Sequence, residues 1–247
     1  MALRSGNWQL VLLFALIGMS PASYAQQPLP ATAASNSAMA PTGIRTDRLT
    51  PRQMRTWRAI EGIAFAKDAS GQVANPRLYG FWQWAETSGY VIHVEFRNPK
   101  ARGDREAGRF MIERSDPDGR AQTALIWLCL PIIDETLVKN RIPGTDGFIR
   151  FEGLGRKERY AEILGHELAH AVWALDDPEN MRLLEELERL TGEFHRYTRA
   201  ARVTALDEKA QQLLQRIESL LLRIERPAEN AEEEIWRELN ARRGPKM

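Results

Sequence analysis

The stretch from Arg156 to Leu175, RKERYAEILGHELAHAVWAL, constrains this chain more than any other. Its apolar residues Leu164, Leu168, Val172 and Leu175 recur at the three- and four-residue spacing of one helical face. His166 and His170 lie about half a turn away from that stripe, one turn apart and pointing the same way. Both faces of this helix are therefore occupied, and any fold of the chain has to serve both. Two imidazoles so placed can bind one tetrahedral ion, while Glu167, turned aside, can reach a water on that ion. Zinc there would polarise the water and a scissile carbonyl, and Glu167 would take the proton, which is the chemistry of amide hydrolysis.

The residues before this helix change texture. A short helix begins after Leu49, with Thr50 as its cap and Pro51 in the first turn, ahead of Met54, Trp57 and Ile60. YVIHVEF (90–96), GRFMIER (108–114) and QTALIWLCL (122–130) are then rich in β-branched and aromatic residues. Asp116-Pro117-Asp118-Gly119 supplies turn chemistry between the last two. These stretches predict a small, mainly antiparallel sheet. With the helix that follows it, the fold class is α+β. A Gly- and Pro-marked loop over 141–155 delivers the chain into the motif helix.

Beyond Pro178 two coiled-coil stripes follow. Leu183, Leu187, Leu190, Phe194 and Tyr197 form the first, and Leu206, Ala210, Leu213, Ile217, Leu220 and Ile224 the second. Their phases do not join across 198–205, and Thr204 with Asp207 resembles a capping box for a new helix. Residues 178–226 thus read as a long helical hairpin, whose stripes can pair with each other or with a second copy as a homodimer. A C-terminal helix, PAENAEEEIWRELNARR (227–243), begins at a proline.

The N-terminus carries Arg4, an apolar run from Leu10 to Met19 and the small-residue pattern Ser23-Tyr24-Ala25, which reads as a signal peptide over 1–25. Left uncleaved, it would be an N-terminal anchor, the one membrane association the sequence allows. Residues 26–48, rich in Pro, Ala, Ser and Thr, read as a flexible linker, and 49–247 as a single domain. The mature protein is expected outside the cytoplasm, secreted or periplasmic. At 247 residues and 43% hydrophobic content the chain can bury one good core. Cys129 is the single cysteine, so stability has to come from packing or a metal. With 34 basic against 33 acidic residues, the chain lacks the positive excess that binding nucleic acid or anionic lipid requires.

HELAH on a helix that follows a small sheet, in an exported chain, resembles the zincin metallopeptidases. The resemblance covers about 90–177 and implies zinc on His166 and His170, Glu167 as general base, and an edge strand that holds an extended substrate. It also requires a third protein ligand. The metzincin pattern would place it at Asp176, but Trp173 stands where that pattern has a glycine. The gluzincin pattern takes a glutamate from a later helix, with the hairpin as an insertion. On the C-terminal helix, Ala228, Ala231, Ile235, Trp236 and Leu239 share one broad apolar face, and Glu232 lies within it. A carboxylate centred on such a face needs a partner, which makes Glu232 the expected ligand, with Glu234 and then Glu229 as alternatives. Tyr160 is a candidate oxyanion donor. The sequence therefore points to an exported zinc-dependent metallopeptidase acting on peptides or proteins. A rival is a secreted interaction protein that works through its coiled-coil hairpin, with a structural metal or none.

Overall fold

The structure is a computed structural model that describes residues 42–99, 106–115, 121–139, 153–200 and 207–242. The 1–25 leader, the linker up to residue 41, the Asp116–Gly119 turn and Thr204 lie outside the described residues.

Strand β1 (Gly43–Arg45) leads into helices α1 (Pro51–Ala64) and α2 (Pro76–Thr87). Strands β2 (Val91–Phe96), β3 (Gly108–Ser115) and β4 (Ala121–Leu128) follow, and then helix α3 (Leu130–Lys139). The chain ends in α4 (Arg156–Asp176), α5 (Pro178–Ala200) and α6 (Glu208–Ala241). The protein is α+β, with a four-stranded sheet ordered β1-β2-β4-β3.

That sheet is mixed, which corrects the antiparallel expectation. Strands β3 and β4 pair antiparallel, but β2 pairs with β4 in parallel, and β1 pairs with β2 in parallel. Strand β3 itself returns the chain, lying at the far side of β4 instead of beside β2, so β4 takes the place between them and runs parallel to β2. The end of the linker expected over 26–48 carries a short strand, Gly43–Arg45, which pairs with β2.

Local chemistry sets the first helix. Thr50 accepts from Gln53 N, Gln53 Oε1 accepts from Thr50 N at 2.8 Å, and Pro51 opens the helix. Trp57, Ile60 and Ala64 face inward. The strands alternate as a one-sided sheet should: Ile92, Val94 and Phe96 of β2 and Ala124, Ile126 and Leu128 of β4 face the main core. Leu125, Trp127, Cys129 and Ile132 form a smaller cluster on the opposite face, so Cys129 is a core residue. Helix α4 is central, packing against α1, α2, α5, α6 and the β3–β4 side of the sheet.

The hairpin forms as its stripes predict. Leu190 and Phe194 of α5 bury against Ala210, Leu213 and Ile217 of α6. Asp207 caps α6, accepting from Ala210 N at 2.9 Å. The expected separate C-terminal helix does not exist: α6 runs 34 residues with Pro227 inside it. An internal proline costs about 3 kcal/mol. Burial of Ile224, Ala228, Ala231, Ile235 and Leu239 on one face outweighs that cost and holds the helix through it. Among the described residues no helix is long and apolar enough to cross a membrane.

Candidate metal centre

Helices α4 and α6 can approach closely because Gly165, beside His166, has no side chain. A Cβ there would overlap Ile235 Cδ1 and lie 3.3 Å from Leu78 Cδ1. This contact brings α6 carboxylates onto the histidine face of α4. His166 Nε2 and His170 Nε2 are 3.1 Å apart, and Glu225 Oε2 lies 3.6 Å from the first and 3.4 Å from the second. Among the described residues, His166, His170 and Glu225 form a group able to hold a metal ion. Zinc bonds of about 2.05 Å to N or O in a tetrahedron put neighbouring ligand atoms about 3.3 Å apart. The three observed separations bracket that edge, so the donor set fits the ion in both chemistry and size.

Glu232, the expected third ligand, lies against the other ring nitrogen of His166 and outside the His166, His170 and Glu225 group. Its Oε2 lies 3.0 Å from His166 Nδ1, the outer ring nitrogen, and its Oε1 accepts from Arg159 Nη1 at 3.0 Å. Glu232 is the buried carboxylate with a required partner, as the helix face implied, but its partners are an imidazole and a guanidinium. A carboxylate only accepts, so Glu232 favours a proton on Nδ1 of His166 and leaves Nε2, which faces Glu225 and His170, as the nitrogen able to give up its proton to a metal. Arg159 also binds Glu162, which is fully buried and whose Oε1 has no partner.

Glu225 is not among the sequence candidates because it precedes Pro227, where local rules open a new helix. The signal was present: Glu225 is seven residues before Glu232, two turns along nearly the same face, between Ile224 and Ala228. The other candidates are engaged elsewhere. Asp176 accepts from Trp84 Nε1 at 2.8 Å, and Glu234 pairs with Arg77 at 3.0 Å. Glu238 accepts from Arg77 N at the start of α2, and Glu229 is exposed. Tyr160 donates to Asp134 Oδ1 at 2.6 Å, which takes its hydroxyl away from an oxyanion role.

Glu167 is buried beside the start of β3. Gly108 permits this, since a Cβ there would meet Glu167 Oε1 at 2.8 Å and its Cγ at 3.1 Å. Burial pushes the Glu167 carboxyl up, against the pull of His166 and His170. For Glu225 burial acts in the same sense, but hydrogen bonds to the two histidines hold it far below the usual carboxylate range. Burial opposes a charge on His166, yet Glu225 and Glu232 on either side raise it well above an ordinary imidazole. Burial pushes Glu162 up to about 8 against the opposing charge of Arg159. Glu232, which is also buried, is held low by His166 and Arg159. One guanidinium serves two carboxylates, and the one without a histidine is shifted toward holding a proton.

No protein-family model, curated protein or solved structure matches this chain.

Proposed function

We propose that this chain is an exported zinc-dependent metallopeptidase that hydrolyses peptide bonds with Glu167 as general base. The observation that carries the reading is the match between the His166, His170 and Glu225 separations and a tetrahedral zinc site. Zinc held by His166, His170 and Glu225 would supply Lewis acidity toward a carbonyl oxygen and toward the attacking water. Glu167 accepts the proton of the attacking water and can pass it to the leaving amine. Glu232 keeps His166 in the tautomer that offers Nε2, and Arg159 keeps Glu232 in place. Among the described residues β3 is an edge strand, and Gly108 sets its first residue against Glu167, so an extended peptide added to that edge would pass the base. The interaction-protein reading draws less support, because the hairpin seam is filled from within the chain.

Metal analysis and peptide cleavage test the reading together. The purified protein should hold about one zinc per chain. Glu225→Gln should lose it, and Glu167→Gln should keep it while cleaving no member of a broad peptide library. A parent protein that takes up no zinc on dialysis, or a Glu167→Gln variant as active as the parent, overturns the proposal.

A further inference from the structure

At the root of the hairpin, one turn beyond His170, a cleft of about 420 Å³ opens between α4, α5 and α6. Trp173, Leu183 and Pro227 give it apolar walls, and Arg223, Arg226 and Asn230 line the α6 side. Asn180 Nδ2 donates to the Trp173 backbone carbonyl at 2.7 Å, tying the start of α5 to the end of α4. Along α6 the arginines before and after this stretch are paired, Arg216 with Glu186 at 2.9 Å and Arg237 with Glu233 at 2.6 Å. Arg223 and Arg226 are exposed and have no carboxylate within ion-pair reach among the described residues. Glu225, between them in sequence, is turned to the histidines. Pro227 has no N–H, so the Arg223 carbonyl four residues back also loses its regular helical donor. Two arginines and a tryptophan thus line one cleft beside the candidate metal centre.

We propose that this cleft binds a carboxylate of the peptide substrate, with an adjoining apolar side chain packed on Trp173. The inference rests on the peptidase reading and names its substrate class: peptides carrying a negative charge near the cleaved bond. Arginine suits the task because its fork of donors matches a carboxylate in two-point contact. The cleft is large enough for one or two residues of a peptide. The carboxylate has two sources in a peptide, an acidic side chain or the C-terminus.

Three acetylated octapeptides of Ala and Phe separate them: one with a central Glu and an amidated end, one with Gln in its place, and the Gln peptide with a free carboxylate. Binding is followed in zinc-loaded Glu167→Gln protein by the NMR signals of the Arg223 and Arg226 Nε–H groups and the Trp173 indole. The Glu peptide or the free-carboxylate peptide should bind about tenfold tighter than the neutral one, as two exposed charge-assisted contacts allow. Whichever is favoured identifies the source. Arg223→Gln with Arg226→Gln should erase the preference without changing zinc content or melting. Equal binding of all three peptides, a preference that survives in the double variant, or no shift at the cleft overturns the inference. A failure of the peptidase reading alone looks different: the wild-type protein would still prefer the anionic peptide and would not cleave it.

Discussion

Arg159→Met removes the cation that sits between two buried carboxylates. The Arg159 side chain is 11% exposed, Glu162 is fully buried, and Glu232 is 11% exposed. Removing one partner of a buried ionic group costs about 3–5 kcal/mol, since the remaining charges are left uncompensated. Two features of the site pull the value toward the lower end: Glu162 can hold its proton, and Glu232 still has His166. The expected loss is therefore about 3 kcal/mol, read from urea unfolding of the metal-free protein at pH 7. Adding Glu162→Leu should restore at least half of it, because replacing a whole buried ionic group with apolar atoms is often neutral. Zinc affinity should fall roughly tenfold in Arg159→Met, as Glu232 loses one of its two anchors on the way to His166. A single variant within about 0.5 kcal/mol of the parent refutes the account, as does a double variant no more stable than the single.

Three other outcomes follow from the same contacts. Glu162 is raised from 4.5 to about 8, so the folded protein holds its proton more tightly than the unfolded chain does. That contribution to stability is complete below 4.5 and is lost as pH rises through about 8. Glu162→Gln should remove this slope, its stability relative to the parent growing between pH 5 and pH 8 by up to ~1.4 kcal/mol per unit; parallel curves would show that Glu162 is ionised. Gly108→Ala forces Glu167 aside and should lower kcat by about 10- to 100-fold with zinc content unchanged, so full activity would separate β3 from the base. Leu213→Asp with Ile217→Asp buries two charges in the hairpin seam and should cost at least ~3 kcal/mol, visible as lost helicity and a lower Tm; unchanged melting would mean that the seam carries no stability.

What the sequence determined by itself is local. The helix over Arg156–Asp176, with His166 and His170 on one face, follows from spacing within one element, and spacing within a helix is geometry. The Thr50 cap, the β3–β4 hairpin and the two hairpin stripes follow for the same reason, since each depends on residues close in the chain. Helices α2 and α3 carry weaker signals. Asn75, which precedes α2, caps nothing with its side chain, and Glu238 from α6 meets the start of that helix instead.

Tertiary structure decided which distant groups meet. Parallel pairing of β2 with β4 depends on where an eleven-residue link carries the chain, and no periodicity records that. Pro227 marks a helix start by local rule, but burial on both sides of it carries α6 through. That continuity sets Glu225 and Glu232 on one face, two turns apart. Gly165 then fixes how α6 lies across α4, and the crossing sends Glu225 to the inner nitrogens of the histidine pair and Glu232 to the outer one. A helical face names the carboxylates that turn inward. Which of them faces Nε2 and which Nδ1 is set by the relative position of two helices some sixty residues apart in the chain, and contact between packed surfaces alone determines it.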